Sequence, residues 1–124
     1  MKYLLDTNIL LNAIKAHSPA LGERMAQCDE GDLVTSSIAF AEVAHGAVHG
    51  RPPPLDVLGA FLSDIPVLDF DRGAALVYAG LPFKRGRFDR LIAAHALSRD
   101  LVVVTDNERD FADVPGLRVE NWTV

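Results

Sequence analysis

A chain of 124 residues, 49% of them hydrophobic, can bury the core of one domain, which excludes a disordered chain. Its net charge of −5 gives no general attraction for nucleic acid, so a polyanionic ligand needs local help from basic residues or bound cations. The single cysteine, Cys28, excludes an internal disulfide and suits a reducing compartment, and no apolar run approaches the length of a membrane span.

Tyr3-Leu4-Leu5 is a short apolar run that stops at Asp6-Thr7-Asn8. Lys2 precedes it, but the run is too short for a secretory signal, so a cytoplasmic location is expected. Helical spacing of Ile9, Leu10, Ala13 and Ile14 follows at once, so residues 2–16 read as a buried strand feeding a helix. Ser18-Pro19 opens a second helix that runs to about Cys28. Leu33-Val34-Thr35 is a second strand, and Ser36 or Ser37 caps a helix from Ile38 to about Val48. The Pro52-Pro53-Pro54 break precedes helical spacing of Leu55, Leu58, Phe61 and Leu62. Ile65-Pro66-Val67-Leu68 is a third strand, placed at a sheet edge by its proline. Asp69 or Asp71 caps the helix that follows, and residues 81–87 form a connecting loop. Phe88–Ser98 is a helix with Phe88, Leu91, Ile92 and His95 on one face. Leu101-Val102-Val103-Val104 has the composition of a central parallel strand buried on both sides. A last strand is expected over Leu117–Glu120. This alternation predicts a single α/β domain over residues 1–124, with a mostly parallel sheet flanked by helices on both faces.

Polar residues end the strands: Asp6, Ser36-Ser37, Asp69 and Thr105-Asp106. In a parallel sheet these ends share one edge, where ligands bind, although helix capping is a plainer explanation for each of them. Two further acids resist that explanation. Glu42 lies among Ile38, Ala39, Phe40, Ala41, Val43 and Ala44, and an unpaired carboxylate buried in such a helix is costly. Asp89 shares a helix face with Ile92, Ala93 and Ala96 and therefore looks inward. Acids that converge on one edge repel one another unless a positive charge offsets them. A hard divalent cation with oxygen ligands does this with few carboxylates, and one or two such ions promote in-line displacement at phosphorus.

Five segments together resemble a PIN domain: Tyr3-Leu4-Leu5-Asp6-Thr7-Asn8, Ser37–Glu42, Phe88–Leu97, Val104–Asn107 with Asp110-Phe111, and Pro115–Trp122. The likeness is closest to the VapC-type toxins of bacterial toxin–antitoxin pairs. It spans nearly the whole chain in the right order; each motif alone is weak, and together they are specific. The resemblance implies an endoribonuclease dependent on Mg²⁺ or Mn²⁺, usually a homodimer, held inactive by a VapB-type antitoxin. It maps the three main acids onto Asp6, Glu42 and Asp89. The fourth position falls on Asn107, with Asp106 and Asp110 as neighbours able to complete the site. Asp106 and Asn107 together are favoured, with Thr105 as a hydroxyl neighbour. Thr7, Asn8 and Thr105 are expected beside the substrate. The connection between Ala79 and Asp89 looks shorter than in many relatives.

Lys84, Arg85, Arg87 and Arg90 cluster beside Asp89 and are expected to contact RNA phosphates, although any one of them alone reads equally well as a solvated charge. Glu42, His45 and His49 lie on one helix face, but no HExxH pattern supports a zinc site, and the two histidines are expected on the surface. His95 is expected as a packed or partly exposed residue of its helix. Apolar surface around Leu10, Leu11, Leu58 and Phe61 is expected to serve a dimer or antitoxin contact. Two other functions compete. Asp69-Phe70-Asp71 has the D-x-D shape of haloacid-dehalogenase phosphatases, but Gly73 stands where Thr or Val is expected and little chain follows. A non-enzymatic phospho-receiver needs a late strand-end lysine, and the lysines are Lys2, Lys15 and Lys84.

Overall fold

The computed structural model describes residues 1–82 and 88–124. In chain order the elements are β1 (Tyr3–Leu5), α1 (Thr7–Lys15), α2 (Pro19–Ala26), β2 (Leu33–Ser36), α3 (Ser37–Val48), α4 (Leu55–Phe61), β3 (Val67–Leu68), α5 (Arg72–Gly80), α6 (Phe88–Ser98), β4 (Val102–Val104) and β5 (Val119–Glu120). The strands form one sheet in the order β3-β2-β1-β4-β5, and every pairing among the described residues is parallel. Helices flank both faces, as right-handed crossovers between parallel strands require. The expected architecture is therefore present.

The order also locates a crevice. Chain leaving β1 crosses to β2 on one side, while β4 pairs with β1 on the other. The connections diverge between β1 and β4, and their carboxyl ends open a crevice there. Asp6 and Thr105-Asp106 follow those two strands directly.

Local sequence explains the elements. Leu4, Leu5, Val34, Val103 and Val104 are fully buried and form the middle of the core. Pro66 lacks an N–H, and its carbonyl accepts the Thr35 N–H at 3.0 Å, so β3 sits at the edge as expected. Of the two proposed caps of α3, Ser36 does the work: its Oγ accepts from the Ile38 N–H at 3.0 Å. Trp122, also buried, meets Tyr3 edge-to-face at 4.8 Å and carries the Arg24 guanidinium over its ring.

Several elements differ from expectation at their ends by one or two residues. Helix α2 stops at Ala26, β3 begins at Val67, and β5 is confined to Val119–Glu120. The expected apolar surface also changes. Leu10 and Leu58 are fully buried, and Leu11 and Phe61 are half-buried. Leu10 and Leu58 belong to the fold's own core, and Leu11 and Phe61 pack against it. Among the described residues no helix is long and apolar enough to cross a membrane.

Candidate active site

Asp6 is the residue from which the site is built. It caps α1, with Oδ1 accepting the Ile9 N–H at 2.9 Å, so the capping explanation is true of it. Capping does not explain its burial, however. Only 3% of Asp6 is exposed, and burial pushes its carboxyl from an ordinary 3.8 up to about 7. A hydrogen bond from the Thr105 hydroxyl and the Ile9 N–H pull the value down. The charges of Asp106 and Asp89 then raise it again. Three acids far apart in sequence therefore act on one another at the β1–β4 crevice.

Glu42 joins them through Thr7. Helix α1 packs on α3, and α3 packs on α6. Across the first of these contacts the Thr7 hydroxyl donates to Glu42 Oε1 at 2.7 Å. Glu42 is half-buried and takes one charge-assisted hydrogen bond, which accounts for an acid inside so apolar a helix. Thr7 thus orients an acid. Asn8, its neighbour, is exposed beside it. Asp89 is half-buried in the first turn of α6, where a helix N-terminus favours negative charge.

The residues after β4 divide between two tasks. Thr105 is fully buried; its Oγ1 accepts the Asn107 N–H at 3.0 Å while its hydroxyl serves Asp6. Asp106 is exposed, and its charge reaches Asp6. Asn107 is exposed, and its Nδ2 donates to Asp110 Oδ2 at 2.7 Å.

Lys84, Arg85 and Arg87 lie outside the described residues. Arg90 requires a correction. Only 4% of it is exposed; its guanidinium donates to the Pro82 carbonyl at 2.8 Å and pairs with Asp113 at 3.3 Å. It ties the start of α6 to neighbouring chain and is not presented to a substrate. Phe88 also departs from expectation. Sequence spacing puts it on the inward face with Ile92 and His95, yet it is 56% exposed. As the first residue of α6 it precedes the turn that packs. It lines a cavity of about 380 Å³ with Ala41, Glu42 and His45. The spacing argument missed this ring, and the signal available was its place immediately before Asp89.

His45 and His49 are exposed, as expected, and their rings stack at 4.2 Å. His95 is fully buried; its Nδ1 lies 2.8 Å from Ser36 Oγ, its ring meets Phe70 edge-to-face, and burial holds its pKa down. The D-x-D pair does ordinary structural work. Asp71 caps α5 by accepting the Ala74 N–H at 2.9 Å, which lowers its pKa, and Asp69 is exposed.

The groups around Asp6 suit a hard cation. Carboxylate and hydroxyl oxygens are the donors there, and among the described residues the charges that act on this buried acid near pKa 7 are those of two other acids. Among the described residues no three His, Cys, Asp or Glu side chains close on a common point at ligand distance. A cation that keeps several waters needs only one or two direct carboxylates, so the two observations agree.

Comparison with known proteins gives the same family. The sequence pattern of the PIN domain matches residues 3–117. The tRNA(fMet)-specific endonuclease VapC of Shigella flexneri is 39% identical, over 99% of this chain and 99% of the relative. Ribonuclease VapC2 of Haemophilus influenzae is 34% identical, over 98% of each. Among solved structures, VapBC2 from Rickettsia felis bound to a promoter DNA fragment superimposes with a TM-score of 0.87 at 30% identity, covering 98% of this chain and 99% of that one. DNA-bound VapBC from Salmonella typhimurium gives a TM-score of 0.85 at 36% identity, covering 98% of each chain. The chain belongs to the PIN-domain family and, within it, to the VapC-type ribonucleases.

Proposed function

We propose that this protein is the toxin of a VapBC-type pair and hydrolyses RNA phosphodiester bonds with the help of Mg²⁺, or Mn²⁺ in its place. The observation that carries this is the buried Asp6 carboxyl, pushed up to about 7 with Asp89 and Asp106 close enough to repel it. Such a group ionises fully at neutral pH only when a positive charge joins it. Asp6, Asp89 and Glu42 would hold the cation, one or two of them directly and the rest through its waters, with Asp106 and Asn107 completing the site. When bound, the cation supplies positive charge that polarises a phosphoryl oxygen and makes water a stronger nucleophile at neutral pH.

The chain's own residues do the rest. Thr105 and the Ile9 N–H fix the Asp6 carboxylate, and Thr7 fixes Glu42. Asp106, which is exposed, would hold or accept a proton from water entering at the phosphate. Lys84, Arg85 and Arg87 are proposed to contact phosphates on either side of the cut, with Asn8 beside them. No protein nucleophile is required.

The partners follow from the relatives. Solved structures at 30% and 36% identity are VapBC complexes, which supports a VapB-type antitoxin as partner. A homodimer is also proposed. Relatives at 39% and 38% identity are named for tRNA(fMet), so that tRNA is the first substrate to try.

The test is cleavage of a tRNA and mRNA panel with Mg²⁺, with EDTA, and with the Asp6→Asn and Asp89→Asn variants. Cleavage is expected with Mg²⁺ alone and lost in the other arms. Cleavage at the normal rate in EDTA, or by either variant, contradicts the assignment.

A further inference from the structure

The cavity beside the acids has no role in the chemistry above. It holds about 380 Å³ and is lined, among the described residues, by Phe88, His45, Ala41 and Glu42. Two of these are aromatic rings, and one is the side chain of a small residue. Phe88 is more than half exposed, a poor position for a large apolar ring unless something covers it. His45 is held by its stack on His49, whose Nδ1 lies 2.8 Å from the His45 carbonyl. Glu42 belongs to both places: it lines the cavity, and Thr7 ties it to the Asp6 edge. Phe88 is joined to the other side of that edge, since Asp89 follows it directly. Whatever enters the cavity therefore lies beside Glu42, one of the acids proposed to hold the cation.

Resting on the nuclease reading, we infer that this cavity is a base subsite, in which a splayed-out nucleobase flanking the cut stacks on Phe88, with His45 as the second wall. Single-stranded RNA is commonly gripped in this way, by stacking unpaired bases on aromatic side chains. Among the described residues the lining offers the π-faces of Phe88 and His45, so recognition is by stacking and tolerates sequence, with purines favoured by their larger face. The subsite also helps an acidic protein bind RNA, because stacking needs no positive charge.

The test is single-turnover cleavage of an oligoribonucleotide spanning the cut site. Each nucleotide next to the cut is replaced in turn by an abasic ribose, and each substrate is tried with wild type, Phe88→Ala, Phe88→Tyr and Phe88→Leu. Wild type is expected to lose roughly tenfold in kcat/KM at one abasic position, the size of a base–aromatic stack. Phe88→Ala should lose a similar factor on the intact RNA and almost nothing more on that abasic RNA, because the two changes remove one contact. Phe88→Tyr should restore cleavage and Phe88→Leu should not. An abasic loss equal in wild type and Phe88→Ala overturns the inference. So does normal cleavage by Phe88→Ala combined with weaker binding of a VapB-type antitoxin, which assigns the cavity to a protein partner. A wild type that cuts no RNA overturns both the inference and the nuclease reading.

Discussion

Replacing Asp6 by Asn should make the cation-free protein more stable, and increasingly so as the pH rises. The carboxyl ionises near an ordinary 3.8 in the unfolded chain and near about 7 in the fold. Between those values the folded state binds more protons, so the Asp6 contribution is fully present at low pH and is lost as the pH rises through 7. Ionising Asp6 in the fold then costs roughly 4 kcal/mol, at about 1.4 kcal/mol per tenfold change in equilibrium. That is a large part of the 5–15 kcal/mol typical of a domain. Asn keeps an oxygen for the Ile9 N–H, so the cap survives while the charge is removed. The assay is urea unfolding of wild type and Asp6→Asn in EDTA at pH 4.5 and pH 8.5. The advantage of the variant should grow by about 3 kcal/mol across that range, a relative midpoint shift of about 2 M urea. An advantage equal at both pH values refutes the claim that the carboxylate is buried against its charge.

Other consequences can be checked in the same way. Thr7→Val removes the hydroxyl that holds Glu42 Oε1, and should lower kcat about tenfold for a stability change near 1 kcal/mol, with Thr7→Ser close to wild type in RNA cleavage assays. Arg90→Met leaves the Pro82 carbonyl and Asp113 without their buried partner, and should cost about 1–3 kcal/mol in urea unfolding while the KM for RNA stays within about twofold. His95 is buried with its pKa held down chiefly by burial, so its own contribution to stability, opposite in sign to that of Asp6, should fall as the pH drops below about 6.5. His95→Gln should therefore gain on wild type in thermal melts as the pH falls, and a difference independent of pH would contradict this.

Where sequence and structure agree, the reason is local. An apolar run that stops at a carboxylate and continues at helical spacing marks a strand end, and Asp6 was legible for that reason. Glu42 was legible because few positions around it are polar, although its partner Thr7, 35 positions away, was not assigned to it by spacing. What escaped the sequence was set by distant contacts. Arg90 looked like one of a row of surface cations because its partner Asp113 lies 23 positions away. Phe88 fell on the inward face by periodicity, but periodicity does not say where the packed part of a helix begins. Leu10 and Leu58 were expected at a surface that the fold itself closes. Asp69 and Asp71 were equivalent caps on paper, and only the geometry of the turn selects Asp71.

The central claim is that Asp6, Asp89 and Glu42 coexist at one edge because they share a cation. Crystals grown with Mn²⁺ test this most directly, through an anomalous difference map. The expected result is a strong peak in contact with Asp6 and within reach of Asp89 and Glu42, absent from Asp6→Asn crystals. A peak bound only elsewhere, or an empty crevice at saturating Mn²⁺, would contradict it.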